Sequence, residues 1–431
     1  MKIDILIIFE YASRELESAL LLEYYLKKEG YSVKVVQASW SENISHLIYQ
    51  PKIIVIPWCY DDEEYNLFCR YKGSLKKHKF KMLNLHCEQI TNKNAVELVL
   101  PKGNAKNMYH IAWGKYFEEL LVSVGISRKQ IEVAGSSRLD FFKEPYRKIS
   151  KSKEELANQY SLDNNKKWVL LIGNFSQASF SHNDLNVVKE KGYKDIDAMS
   201  QLAEKTYYEL IKWFERASYK DNISSELEFI YRPHPSELIT EQMKNLEKNG
   251  NFHVIRNYAI RDWIVNSDIA FSWCSTSTVE VASAGIPIYN LRPYKIPEML
   301  NLDALEKVKQ IETYDEFEKV LEDFCKNTLM ESNQDFLEHI SYYYNVSSES
   351  TVNCTVKYIK EIMNDDSNFC ERKEWFFFGL KKTINYFIKK ILHKLNVLKK
   401  IKKYQQVDNA YIEKKEIHRI RTHMEEVLFT K

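Results

Sequence analysis

One feature constrains this chain more than any other: short, nearly continuous apolar runs alternate with longer segments whose apolar residues recur at helical spacing. Residues 3–9 read Ile-Asp-Ile-Leu-Ile-Ile-Phe, the composition of a strand covered on both faces in a parallel sheet. In the following 14–30, Leu16, Ala19, Leu20, Leu22, Tyr24 and Leu26 share one helical face, and Gly30 ends the segment. Further strands are predicted at 31–37, 52–57, 81–85 and 109–113, with helices between them. Such a βαβ series closes into a doubly wound sheet, because its crossovers are right-handed.

A second series starts at 168–173 and continues through a long helix at 198–218 and a strand at 228–231. Strands at 253–255, 269–272 and 287–291 follow, 287–291 being the last clear one. Short helices are predicted at 260–266 and 279–284, with Gly285 stopping the second. The resulting division is a Rossmann-like domain over 1–145, a polar crossover over 146–166 that is helical at 153–160, and a second Rossmann-like domain over 167–330. Helices packing back on the body are expected over 331–368, and a distinct tail over 369–431. A chain of 431 residues exceeds one ordinary core, and only 11 Gly and 9 Pro leave few tight turns for a β-sandwich or repeat array.

Charge and cysteine usage narrow the function classes. A net charge of +2 creates no global field toward nucleic acid, so no nucleic-acid partner is expected. Seven scattered Cys without CxxC spacing read as reduced thiols of a cytoplasmic protein. The apolar N-terminal run is interrupted at Asp4 and Glu10, so it reads as a buried strand rather than a secretory segment. No stretch approaches the ~18 apolar residues of a membrane span. The tail differs from the rest: residues 376–407 contain no acid, and nine Lys fall between Lys381 and Lys403. Leu380, Ile384, Phe387, Ile388, Ile391, Leu395, Leu398 and Ile401 recur every three or four positions. This basic amphipathic helix fits either an anionic membrane surface, the inner face of the cell membrane, or a helix packed on the protein's own body or on a coiled-coil partner.

Residues suited to chemistry gather at predicted strand ends, where open α/β sheets bind ligands. The strand 228–231 runs into Arg232-Pro233-His234-Pro235. Arg232 offers a planar fork for phosphate, and His234 offers a hydrogen bond to a leaving phosphate. The strand 269–272 runs into Ser275, Thr276, Ser277 and Thr278, hydroxyls that open a helix and suit an anion, and Glu280 sits in its first turn, near enough for a ribose hydroxyl or for the helix dipole. Asn174, in Gly173-Asn174-Phe175-Ser176, belongs to a further phosphate-facing loop. In the first half, Glu88 follows the strand 81–85 and is a candidate general base. Arg14 and Glu15 follow the first strand, and Arg138 and Asp140 lie in the Gly135-Ser-Ser-Arg-Leu-Asp element; these four are assigned to the acceptor side or cleft. Neither GxGxxG after the first strand, GxxxxGK[ST] nor HExxH occurs. The Asp61-Asp62 pair sits in a helical setting and is not read as a metal-binding DxD, and no metal or cofactor is expected.

The His234-Pro235 element followed by the Ser/Thr run resembles the bacterial GT-B transferases that include sialyl- and polysialyltransferases, Kdo transferases and CDP-glycerol glycerophosphotransferases. The resemblance is closer to the surface carbohydrate biosynthesis proteins, through Arg14-Glu15-Leu16, Glu88, Gly135 to Asp140, Arg232 to Pro235 and Ser277 to Glu280. It spans roughly residues 1–330. In two places this chain departs from that pattern: Gln89 stands where a second acid is expected, and Gly135-Ser-Ser where Gly-Asn-Pro is expected. The resemblance implies a GT-B fold of two Rossmann-like domains, an acceptor domain over 1–145 and a nucleotide-donor domain over 167–330. It further implies a metal-independent glycosyltransferase or polyol-phosphate transferase with a CMP- or CDP-linked donor and a glycan or lipid-linked surface-polysaccharide acceptor. A sugar-nucleotide epimerase of the same shape and a catalytically degenerate scaffold in glycan assembly are the alternatives.

Overall fold

The computed structural model describes residues 1–431 except 72–79, 90–91, 235, 257–258, 330–332, 347–348, 371–373, 402–403, 405–406, 409 and 430–431. Pro235, Lys402 and Lys403 of the motifs above therefore lie outside the described residues. The chain divides into two compact units, one built from residues 1–89, 99–140 and 342–431, the other from 90–98 and 141–341.

The first unit contains strands β1 (Lys2–Phe9), β2 (Val33–Gln37), β3 (Gln50–Ile56), β4 (Lys81–Asn84), β5 (Tyr109–Ile111) and β6 (Ile131–Glu132), in the order β2-β1-β3-β4-β5-β6. Every pairing is parallel. From Ile5 to Phe9, β1 is buried at every position, as its apolar run requires. The second unit contains β7 (Lys167–Ile172), β8 (Leu227–Arg232), β9 (Phe252–Val254), β10 (Ile269–Ser272), β11 (Ile288–Leu291) and β12 (Lys309–Ile311). Their order is β12-β11-β10-β7-β8-β9, again all parallel. Each unit is a doubly wound α/β sheet, and together they make the GT-B class of fold. In each sheet the first strand stands where the strand order reverses, between β2 and β3 in one and between β8 and β10 in the other.

Two strands are additions to the pattern read from sequence. β6 is two residues long, and β12, an edge strand with only Ile311 buried, follows 287–291, the last clear strand of the sequence pattern. Neither carries enough apolar residues to register as a run. The helix expected at 14–30 begins with a wide π-type turn over Ala12–Leu16 before the regular helix Glu17–Lys28. In the second unit the amphipathic helix Ile196–Tyr219 places Leu202, Tyr207, Leu210 and Phe214 against β7, β8 and β10 side chains such as Leu171, Phe229 and Phe271.

Beyond residue 341 the chain returns to the first unit. Helix Thr351–Asn364 packs on helix Glu17–Lys28, and helix Phe376–Lys394 packs on helix Glu42–Ile48. The last helix, Lys414–Phe429, ties to Glu17–Lys28 through an Arg421–Glu23 ion pair at 2.8 Å and the buried Met424. Among the described residues no helix is long and apolar enough to cross a membrane.

Candidate functional site

In the second unit, the loops leaving β7, β8 and β10 are locked together where the strand order reverses, the position at which sheets of this kind bind ligands. Gly173 follows β7, and a Cβ there would run into the Tyr231 hydroxyl and the Glu237 carboxylate. The Asn174 amide donates to the Cys274 carbonyl at 2.7 Å, joining the β7 and β10 loops across the reversal point. Cys274 takes a left-handed φ of 48° and its sulfur accepts from Arg292 at 2.8 Å. Phe175 stacks on Trp273 with ring centroids 4.6 Å apart.

The β8 loop turns around Glu237, two residues beyond the Arg232 to Pro235 motif and given no role from sequence. Its buried carboxylate accepts from the backbone N–H of Phe175 at 3.1 Å and of His234 at 3.2 Å, and from the Tyr231 hydroxyl. Burial raises its pKa more than these hydrogen bonds lower it. Glu237 thus fixes the backbone that carries His234. The imidazole Nδ1 accepts from the Ser236 N–H at 3.3 Å and lies 2.8 Å from the Ser236 hydroxyl. A backbone N–H can only donate, so the neutral ring carries its proton on Nε2. His234 is half-buried, as a ligand-contacting side chain needs to be.

The four hydroxyls after β10 divide into two groups. Ser275, Thr276 and Ser277 are half-exposed, with the Ser275 hydroxyl accepting from the Ser277 N–H at 3.3 Å. Thr278 is fully buried, its hydroxyl 2.7 Å from that of Ser272, which donates to Asn290. Thr278 is an internal strut rather than a wall of the site, which corrects its assignment. Arg232 needs a similar correction: its guanidinium is buried, donates to the Ile255 carbonyl at 2.6 Å and lies over the Trp263 ring. Burial pulls its pKa down to about 10, with Tyr160 and Asp262 acting in the opposite sense. Arg232 anchors the end of β8 instead of offering an open fork. Glu280 is also buried, in the first turn of the seven-residue helix Ser277–Ser283.

In the first unit a narrow cleft opens at the carboxyl ends of the strands. Arg14, Glu15, Cys87, Trp113, Ser136 and Arg138 line it, above apolar walls from β1 and helix Glu17–Lys28. Arg14 bridges Glu15 at 3.1 Å and Glu88 at 3.4 Å. Burial disfavours the Arg14 charge, yet Glu15 and Glu88 more than offset this and raise its pKa. Glu88 remains the most solvent-reachable carboxylate of this group, its side chain 43% exposed. Glu10, read from sequence only as the end of an apolar run, adds a third carboxylate. It accepts from the Trp58 indole at 2.9 Å, and its pKa is raised by burial and then by Glu15. A carboxylate directly after a strand is the signal that singled out Glu88, and it applies equally to Glu10. Cys87 lines the cleft as a neutral thiol, because burial raises its pKa well above the usual value.

Asp140 does not reach this cleft. It is fully buried and accepts from Thr351 N–H at 2.9 Å, Val352 N–H at 2.8 Å and the Ser350 hydroxyl at 3.0 Å. It caps helix Thr351–Asn364 from a distance, and that helix supplies Thr351, Val352 and Thr355 to the cleft wall. Gly135 has a φ of 102°, and a Cβ there would stand 2.9 Å from the Thr351 hydroxyl, so only glycine fits. Arg138 lies over the Trp113 ring at 5.3 Å. Gln89 also finds its reason: its amide donates to the Ile111 carbonyl at 3.0 Å and accepts from Trp113 N–H at 2.7 Å. A carboxylate cannot donate, so a second acid would break this link between the β4 and β5 loops. Asp61 caps helix Asp62–Phe68, accepting from Glu64 N–H.

No family model matches the chain, and none of the curated proteins does. Solved structures do match in fold. An H548A variant of the wall teichoic acid polymerase TagF aligns with a TM-score of 0.54 at 11% identity, over 84% of this chain and 89% of that one. The TagF H444N variant soaked with CDPG gives 0.52 over the same shares, also at 11% identity. A protein described as a UDP-N-acetylglucosamine 2-epimerase, from Listeria monocytogenes, gives 0.50 at 13% identity, over 87% of this chain and all of that one. The likeness establishes a two-domain GT-B fold that a polymerase and a protein so described share.

Proposed function

We propose that this chain is a glycosyltransferase, or a polyol-phosphate transferase, that moves a group from a cytidine-linked nucleotide donor to a cell-surface polysaccharide precursor. The observation that carries this reading is the interlocked β7, β8 and β10 loops at the carboxyl edge of the second sheet, one of which carries the Nε2–H of His234 and another the hydroxyls of Ser275, Thr276 and Ser277. These neutral donors suit a phosphate, and His234 would hydrogen-bond the oxygen on which charge develops as the nucleotide leaves. The chain's own donors supply this neutralisation, so the proposal involves no metal or cofactor. The cleft of the first unit takes the acceptor, with Glu88 receiving the proton of its attacking hydroxyl and Arg14 holding that carboxylate in position. A cytoplasmic enzyme at the inner membrane face, acting on a lipid-linked or glycan acceptor, completes the proposal.

Fold likeness to a polymerase whose crystals were soaked with CDPG supports a cytidine donor, and likeness to the protein described as an epimerase keeps sugar-nucleotide epimerisation as the second reading. Nucleotide release, measured over a panel of CMP-, CDP- and UDP-linked donors, separates them. Transfer predicts acceptor-dependent release of CMP or CDP, reduced by about 10²–10³-fold in His234→Ala, in line with loss of one oxyanion donor. Glu88→Gln is expected to slow turnover by about 10²-fold without weakening nucleotide binding. Isomerisation of a UDP-sugar with the nucleotide retained would establish the epimerase instead.

A further inference from the structure

Helix Phe376–Lys394 turns its apolar stripe away from the protein. The face that docks on the first unit is mixed. Gly379 is buried so close to Leu47 that a Cβ would stand 2.6 Å from its Cδ2, and Phe378 meets His46 edge-on at 4.9 Å. Lys382 lies 3.7 Å from the buried Glu42 carboxylate, Lys389 donates to the Ser39 carbonyl at 3.2 Å, and Tyr386 is buried. On the opposite side Phe377, Leu380, Ile384, Phe387, Ile391 and Leu395 stand exposed, with Phe377 at 73% and Leu395 at 65%. At 100° per residue these six fall within about 80° of arc along a helix about 28 Å long. Exposed Lys381 and Lys394 sit just outside the two edges of that arc. Burying its own stripe against the body would leave a helix polar outside; this one does the reverse, which is the arrangement of an interfacial helix.

The charge around the stripe selects the occupant. No acid occurs between residues 376 and 407, whereas nine Lys fall within 381–403. A stripe meant for a second copy of this nearly neutral chain has no use for such an excess, while a leaflet of anionic lipid does. The tail that follows the helix is also tied to one particular edge of the first sheet. Gln37, the last residue of β2, donates to the Ala410 carbonyl of the tail and to the Glu10 carbonyl at the end of β1, and Trp40 donates to the Val407 carbonyl at 3.0 Å. Glu10 in turn belongs to the carboxylate group beside the cleft.

We propose that helix Phe376–Lys394 is a face-out anchor that lies on an anionic bilayer surface and holds the carboxyl edge of the first sheet, with its cleft, next to the lipid. That the cleft then meets an amphiphilic acceptor there rests on the transferase reading; the lipid binding does not. The test is flotation of the full-length protein with vesicles of phosphatidylcholine alone or mixed with phosphatidylglycerol. Binding should favour the anionic vesicles by about tenfold or more and weaken with salt. The variant Ile384→Glu/Ile391→Glu should lose about tenfold or more of this affinity. Its far-UV circular dichroism, unfolding temperature and nucleotide binding should not change, because both sites are exposed. The proposal is overturned if wild-type protein ignores anionic vesicles at low salt, or if the variant binds as well as wild type. It is equally overturned if the stripe proves to hold a dimer that the variant dissolves. Nucleotide binding followed in parallel keeps the outcomes separate, since its failure alone would remove the transferase reading and leave the anchor standing.

Discussion

Glu237 shows how a residue without contact to a substrate can set a site. Its carboxylate holds the backbone N–H groups of Phe175 and His234, one from each of two loops, and so determines where the imidazole stands. Glu237→Ala would strand both donors and is expected to cost about 2–4 kcal/mol of stability and to raise the KM for the donor more than it lowers kcat. Glu237→Gln keeps an oxygen for the two N–H groups and an amide for Tyr231, so it should restore most of both properties; thermal unfolding and donor-dependent kinetics on the two variants check this. For single residues, position is legible in the sequence and direction is not. A side chain at a strand's carboxyl end is recognisable from position alone, which located His234, Glu88 and Arg14. Whether it then turns outward is not, because a loop has no periodicity. Arg232, Thr278 and Asp140 all sit at the right positions and point their polar atoms into the protein, where Ile255, Ser272 and helix Thr351–Asn364 need partners.

Among the elements, β4 and β5 are joined by a buried pair of imidazoles. His86, at a left-handed φ of 46°, and His110 are fully buried with Nε2 and Nδ1 2.9 Å apart. Burial pulls His110 down from 6.5 to about 3, and burial together with His110 holds His86 well below the usual histidine value. Both therefore fold as neutral rings. Their contribution to stability is complete above the unfolded pKa near 6.5 and is lost as pH falls from there toward the folded values. Between about pH 7.5 and pH 5 the first unit should lose about 2 kcal/mol or more from this source. Glu10 and Glu237, whose pKa values are raised, act in the opposite sense. The pair is isolated by comparing the pH slope of the unfolding temperature with that of His86→Asn/His110→Asn, which is expected to be flatter. Long apolar runs such as β1 and the spacing of helix Ile196–Tyr219 made the main elements legible. The short edge strands β6 and β12 were not, since pairing with a neighbour, rather than their own composition, makes them strands.

For the whole molecule, two parallel sheets with reversed strand order at β1 and β7 leave two binding edges, and chemistry-bearing residues gather on both. That arrangement follows from the alternation of buried runs and amphipathic helices and was legible in the sequence. The tail was legible as basic and amphipathic, but which of its faces meets the body depends on Gly379, Lys382 and their partners on a helix more than 300 residues earlier. The fold by itself does not choose between group transfer and epimerisation; which nucleotide the β7/β10 edge takes would decide. Calorimetric titration of wild-type protein and His234→Ala with CMP, CDP and UDP tests that edge most directly. Saturable binding of a cytidine nucleotide to wild type is expected, tighter than UDP, and weakened by about tenfold or more in the variant. Absence of binding by any of the three, or cytidine binding that His234→Ala leaves unchanged, would rule out a nucleotide role for this edge.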